Sequence, residues 1–157
     1  MRGKRLSTWG RLATLGGMGN IPVAPGTAAT FLAGIPAAYA LKSLPIPLGL
    51  FFLLILLALS CRACSRAEEE LGEKDPGRVV LDEIVGYLVT ILFLPQGFGP
   101  LLWGFAAFRL FDIWKPWPIR SMEARVSGGL GIVLDDVLAG LYAFALTTML
   151  CFAFNRP

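Results

Sequence analysis

Polar and apolar residues fall into blocks along this chain, and the apolar blocks have helical length. From Leu48 to Leu59 (LGLFFLLILLAL) there is no polar face to turn towards water. That block predicts a helix from about Pro47 to Cys61. A first helix is predicted before it, from about Thr27 to Lys42, opened by Pro25-Gly26-Thr27. A polar loop, Arg62 to Val79, follows the second. The third helix starts near Asp82-Glu83 and stops at Pro95. A turn with Gln96, Gly97, Gly99 and Pro100 leads into the fourth, which ends at Trp114-Lys115-Pro116. A second polar loop runs from Lys115 to Gly131, and a fifth helix from about Ile132 to Phe154. Residues 1–24 are basic, with Trp9, Leu12 and Leu15 spaced as on one helical face, which reads as a segment lying in a membrane interface or, functionally, as a segment gating substrate.

These blocks predict an all-α fold: a polytopic membrane-embedded helical bundle with about five hydrophobic helices. Helices three and four are short, each about 15 residues or roughly 23 Å, against a hydrocarbon core of about 30 Å. They form either short tilted spans or a hairpin that does not fully cross. In both cases the turn at Gln96 to Gly99 lies far from Asp82 and Asp112, so the hairpin returns Asp112 to the face that holds Asp82-Glu83.

Composition agrees. At 157 residues the chain predicts one domain, 1–157. A mean hydropathy of +0.66 with 16% charged residues is too apolar for an ordinary soluble domain. No apolar signal core directly follows the basic start, so no cleavage is expected. Cys61, Cys64 and Cys151 read as small hydrophobes: Cys61 and Cys64 end a hydrophobic helix, and the further ligands a zinc site needs are missing. With the N-terminus inside and five spans threaded, all of the 14 basic residues except Lys42 and Arg156 fall on the inner side, and so does every acid. The basic asymmetry predicts a cytoplasmic N-terminus, a periplasmic C-terminus and a polar chemistry that faces the cytoplasm.

The acids carry the chemical signal. Asp82-Glu83, Asp112, Asp135-Asp136 and a looser group, Glu68-Glu69-Glu70-Glu73-Asp75, all sit at the edges of apolar runs. Carboxylates there are costly without a partner or a metal. The chain has no His, and carboxylate oxygens without His or thiolate ligands suit Mg²⁺ better than Zn²⁺. For each pair the bland reading is helix capping. The functional reading is metal binding, because two acid pairs on one side repel unless a cation or protons intervene. Arg109, Asp112 and Lys115 follow at i, i+3 and i+6, roughly one stripe of a helix. They read either as a structural ion pair with snorkelling ends, or as an acid with Arg109, Lys115 and the nearby Arg120 offered to phosphate. Trp114 and Trp117 read as headgroup-belt anchors. Pro25-Gly26-Thr27 reads either as a turn and helix cap or as part of the lining of the site. Gly128, Gly129 and Gly131 offer either a plain turn or a backbone approach to phosphate.

Several mechanisms are excluded. Without His there is no Ser-His-Asp triad and no phosphohistidine. No Arg lies six residues beyond Cys61 or Cys64, and no Asp-x-Asp pair occurs. Metal-activated water attacking a phosphomonoester is the economical proposal that remains. The alternative class is a cation or proton transport protein. Its acids should stand mid-helix on several spans, and Ile84 to Leu94 and Val137 to Phe154 contain none.

Four stretches together resemble the phosphatidylglycerophosphatase A family: NIPVAPGT from Asn20 to Thr27, DEIVG from Asp82 to Gly86, FRLFDIWKPWPIR from Phe108 to Arg120, and GGLGIVLDDVLAG from Gly128 to Gly140. The resemblance runs from about Trp9 to Phe144, and the Arg109 to Arg120 block is its most specific part. It implies a Mg²⁺-dependent enzyme of the bacterial inner membrane, with phosphatidylglycerophosphate as its phospholipid partner and no nucleic-acid partner. Such an enzyme removes the terminal phosphate to give phosphatidylglycerol. The expected catalytic and metal-binding residues are Asp82, Glu83, Asp112, Asp135 and Asp136. The expected phosphate-binding residues are Arg109, Lys115, Arg120 and Thr27.

Overall fold

The computed structural model describes residues 6–154, apart from the side chains of Glu123, Ala124 and Phe154. Arg2, Lys4, Arg5 and Arg156, which enter the charge count above, lie outside the described residues. Within them the chain is helical, in the order α1 Thr8–Ala13, a 3₁₀ segment Leu15–Asn20, α2 Pro25–Ala29, a π turn Thr30–Gly34, α3 Ile35–Lys42, α4 Ile46–Leu71, α5 Leu81–Ile91, α6 Phe98–Trp114, α7 Ile119–Arg125 and α8 Gly128–Phe154.

The predicted first helix is α2, the π turn and α3 in continuous succession. Pro36 has no N–H and its ring crowds the carbonyl four residues back. The chain answers with a wider turn, in which the Ile35 N–H donates to the Thr30 carbonyl. Thr30 is thereby turned into the protein and fully buried.

Two expected loops are corrected. The second helix does not end at Cys61; α4 runs on to Leu71 and stops where Gly72 takes a left-handed φ of 69°. Most of the Arg62–Val79 loop is therefore helix, because its Ala, Arg and Glu residues are good helix formers. The Lys115–Gly131 loop contains α7, and the last helix begins at Gly128 rather than Ile132. Gly129 is helical and packs so closely on α4 that its N–H donates to the Ser65 hydroxyl at 2.9 Å. This glycine stretch is a helix contact, not an open phosphate loop.

Trp9, Leu12 and Leu15 do not share one helical face. α1 has six residues, and Leu15 at φ 47° turns the chain out of it. Trp9 and Leu15 pack against the core while Leu12 stays exposed. This segment docks on the protein: the Ser7 N–H donates to Glu70 at 3.0 Å, the Arg62 guanidinium lies 5.5 Å from the Trp9 ring centre, and the Val80 N–H donates to the Ala13 carbonyl.

α8 is the central helix, packed against α4, α5, α6 and α7. Tyr87, Phe108, Ile91 and Ile119 are fully buried around it, and the Tyr87 hydroxyl donates to the Leu101 carbonyl at 2.9 Å. Two helices are long and apolar enough to cross a membrane, Ile46–Leu71 and the Gly128–Ala153 part of α8. At 1.5 Å per residue 26 residues reach about 39 Å, more than the roughly 30 Å core. Only 22% of the apolar window of α4 is buried. Phe51, Phe52 and Leu54 point away from the protein and leave an apolar face uncovered. α5 has 11 residues and α6 has 17, so among the described residues two helices are long and apolar enough to span, where about five were expected. α5 and α6 form the expected hairpin. At its turn the Lys42 ammonium donates to the Leu94 carbonyl at 2.5 Å and the Gln96 amide to the Lys42 carbonyl at 3.1 Å. Lys42 and Gln96 thus share the end of the molecule opposite the acids.

Candidate active site

The first turn of α5 carries Asp82 and Glu83, and neither caps it. Val80 holds the cap position and makes no side-chain cap hydrogen bond. The hairpin instead delivers both acids to neighbouring helices. Arg109, on α6, bonds Glu83 and also Asp112, one helical turn further along α6, at 2.7 Å. All three side chains are about 15% exposed (15%, 17% and 14%), so this is a largely dehydrated acid–cation–acid bridge. Charges so placed are tolerated only because they are paired. The same Glu83 oxygen accepts from the Thr30 hydroxyl at 3.4 Å, which ties in the π turn.

Lys115 ends α6 in a left-handed conformation and reaches across to α8, where its ammonium lies 2.5 Å from an Asp135 carboxylate oxygen. Asp135 and Asp136 do not open a helix, as capping would require. With α8 starting at Gly128 they stand two turns inside it, nearly enclosed at 6% and 3% exposure. Asp136 meets Asp82 within hydrogen-bonding reach, and the other Asp82 oxygen, Oδ1, is buried without a partner.

Asp82, Glu83, Asp112, Asp135 and Asp136 therefore gather at one end of the bundle, with Arg109 and Lys115 among them. If all are ionised, five carboxylates against two cations leave three negative charges in excess. Two bare carboxylates as close as Asp82 and Asp136 repel unless a proton or a cation lies between them. Buried hard oxygens, no His and an orphaned Asp82 oxygen fit a hard divalent cation. Among the described residues no three acidic or Cys groups already converge as a metal cluster, because Arg109 and Lys115 hold Glu83, Asp112 and Asp135.

Arg120 is exposed on α7 and lines, with Arg109, Leu110 and Trp114, an open surface depression. It makes no ion pair among the described residues. Thr27 is half-buried on α2, and it is Thr30, one turn later, that reaches the acids. Gly26, in the Pro25-Gly26-Thr27 stretch read above as a cap or as site lining, stands at the site, while the place of Asp75 escaped the sequence reading. Gly26 backs directly onto the Glu83 carboxylate, and a side chain there would overlap it. Asp75, assigned above only to a loose acidic group, acts electrostatically on Asp82 and lines a small cleft with Asp135, Glu68 and Lys74. The Asp75-Pro76-Gly77 turn was the available sign that the chain doubles back there.

The family model described as Phosphatidylglycerophosphatase A matches residues 11–151. A protein of that name from Escherichia coli is 36% identical over 141 residues, covering 88% of this chain and 80% of its own. One from Haemophilus influenzae is 37% identical over 128 residues, covering 81% and 78%. A Bacteroides thetaiotaomicron protein, provisionally named a phosphatidylinositol-3-phosphatase, is 40% identical over 137 residues, covering 83% and 85%. No solved structure matches the chain.

Proposed function

The chain belongs to the phosphatidylglycerophosphatase A family, and on that premise we propose that it hydrolyses phosphatidylglycerophosphate to phosphatidylglycerol and inorganic phosphate at the acid-rich end of the bundle. The observation that supports this site is the gathering of five buried or half-buried carboxylates with Arg109 and Lys115. Asp82 and Asp136 would hold Mg²⁺, with Glu83, Asp112 and Asp135 beside them. When bound, Mg²⁺ supplies charge neutralisation on the phosphate and lowers the energy needed to deprotonate water.

The chain's own groups do the rest. Arg109 keeps Glu83 and Asp112 in fixed positions, and Lys115 does the same for Asp135. Arg120, with no carboxylate partner among the described residues, is the cation open to an arriving phosphate, and Thr27 follows Gly26 in sequence. Fixed cations stabilise charge spreading over the non-bridging oxygens. A water oxygen attacks phosphorus, and its proton passes to a carboxylate oxygen of the set. The bond from phosphorus to the glyceryl oxygen breaks, that oxygen is reprotonated, and phosphate and the lipid alcohol leave. The basic residues near this end favour the cytoplasmic face of the inner membrane. There a lipid phosphate meets the site at headgroup level without leaving the bilayer.

The test is phosphate release by the purified protein in detergent, with Mg²⁺ and with a chelator. Release from phosphatidylglycerophosphate is expected, and no release would overturn the reading. The name of the Bacteroides relative makes phosphatidylinositol 3-phosphate the second substrate to compare. Faster release from that lipid would move the substrate assignment, and an undiminished rate in chelator would remove Mg²⁺.

A further inference from the structure

Asp82 and Gly86 stand four residues apart on α5, and Asp136 and Gly140 stand four apart on α8. Residues four apart lie one above the other on a helix face. The two helices run in the same direction and in register. Asp82 meets Asp136, Gly86 lies against the Asp136 carbonyl, and Thr90 lies against Gly140. A Cβ on Gly86 would stand 2.5 Å from the Asp136 carbonyl oxygen and 2.7 Å from the Phe108 ring, and one on Gly140 would overlap the Gly86 carbonyl. Most of these obstacles are backbone, so they yield only if the helices separate. The Thr90 hydroxyl, fully buried, lies 3.1 Å from both the Gly86 and the Gly140 carbonyl oxygens and shares its proton between the two helices.

We infer that Gly86, Gly140 and Thr90 are positioning residues, which set the separation of the Asp82 and Asp136 carboxyls by fixing the α5–α8 crossing one turn away. Asp136 is nearly enclosed, so a side chain has little room to recover by a rotamer change what the backbone loses. The spacing of the acid pair is then a property of the backbone crossing, and it fails when the crossing opens. The inference rests on the reading of this acid cluster as the reaction site.

Two measurements test it. In the first, Asp82→Cys and Asp136→Cys are combined with Cys61→Ala, Cys64→Ala and Cys151→Ala, and disulfide formation under mild oxidant is followed by mass spectrometry. The bond is expected to form readily and its yield to fall severalfold when Gly86→Ala or Gly140→Ala is added. Gly104→Ala is the control, since a Cβ there meets chiefly the movable tip of Ile91, and it should leave the yield intact. In the second, steady-state phosphate release is measured with otherwise unaltered protein. Gly86→Ala and Gly140→Ala should lower kcat about tenfold to a hundredfold with KM little changed, as a displacement of about 1 Å does at a reacting centre. Thr90→Val should lower kcat in the same sense, and Thr90→Ser, which keeps the hydroxyl, should restore it. Unchanged cross-linking in the glycine variants, or equal kcat for Thr90→Val and Thr90→Ser, would overturn the inference. If an alanine variant does not fold, the Thr90 pair decides. If the wild-type protein releases no phosphate, the reaction reading falls, while the cross-linking yield still decides the positioning claim.

Discussion

The Lys115 ammonium lies 2.5 Å from a carboxylate oxygen of Asp135, joining the C-cap of one helix to the interior of another. Lys115 is 21% exposed and Asp135 7%, so the contact sits where water begins to be excluded. Removing the cation leaves a carboxylate short of a partner in a poorly solvated place. Lys115→Met should therefore lower stability by about 1–3 kcal/mol and reduce kcat/KM more than Lys115→Arg does. Thermal unfolding in detergent together with steady-state kinetics checks both; equal kinetics for the two variants would leave Lys115 a structural role only.

Arg109 grips Glu83 and Asp112 together, which needs a branched, planar cation. Arg109→Lys keeps the charge and loses the fork, so activity should fall well below wild type although the protein still inserts. Arg109→Ala leaves two largely buried acids unpaired and should cost about 3–5 kcal/mol. A wild-type rate in Arg109→Lys would show that one carboxylate contact is enough.

Gly26 leaves no space for a methyl group beside Glu83. Gly26→Ala should lower both activity and stability. In the background of Glu83→Ala, which opens that space, the same change should cost much less stability. This non-additivity is what a direct steric contact gives. Additive losses in the double-mutant cycle would place the effect of Gly26 elsewhere.

A cation held by Asp82 and Asp136 must stabilise the folded protein. At a Mg²⁺ concentration about 100 times Kd the gain is roughly 2.7 kcal/mol, visible as a rise in Tm. The rise should vanish in Asp82→Asn and Asp136→Asn. The same rise in both variants would move the ion to other acids of the cluster.

Lys42 should behave differently. Its ammonium caps carbonyls at the far end of the α5–α6 hairpin, away from every acid of the site. Lys42→Met should lower Tm and leave kcat and KM close to wild type. A kcat loss as large as that of Arg109→Lys would mean that the hairpin turn controls the acids at its base.

Much of this was legible in the sequence because it depends on local signals. Apolar blocks give helices, prolines and glycines end them, and the Gln96–Gly99 turn forces α6 back beside α5, which is enough to return Asp112 to Asp82-Glu83. The likeness of the Asn20–Thr27, Asp82–Gly86, Phe108–Arg120 and Gly128–Gly140 stretches to one family was also readable without coordinates, and the family match over residues 11–151 agrees. Helix ends were read less well. Arg62 to Leu71 carries charge but has strong helix formers, and Gly128 to Gly131 reads as loop until the close approach to α4 explains why small residues are needed there.

Only the tertiary structure decided the partnerships. Sequence spacing permits Arg109 to reach Asp112, but nothing local says that it also holds Glu83, that Thr30 rather than Thr27 reaches that carboxylate, or that Asp136 faces Asp82 while Asp135 faces Lys115. Those choices depend on how each helix is rotated about its axis and on how closely its neighbour approaches. Both are set by packing between segments 20 or more residues apart, where the π turn at Thr30–Gly34 or a missing Cβ redirects a whole face. The charges were placed at one end of the bundle by the order of residues along the chain. Which charge meets which follows from close helix packing, as at Gly26, Gly86 and Gly140, where no side chain keeps the neighbouring carboxylate or backbone away.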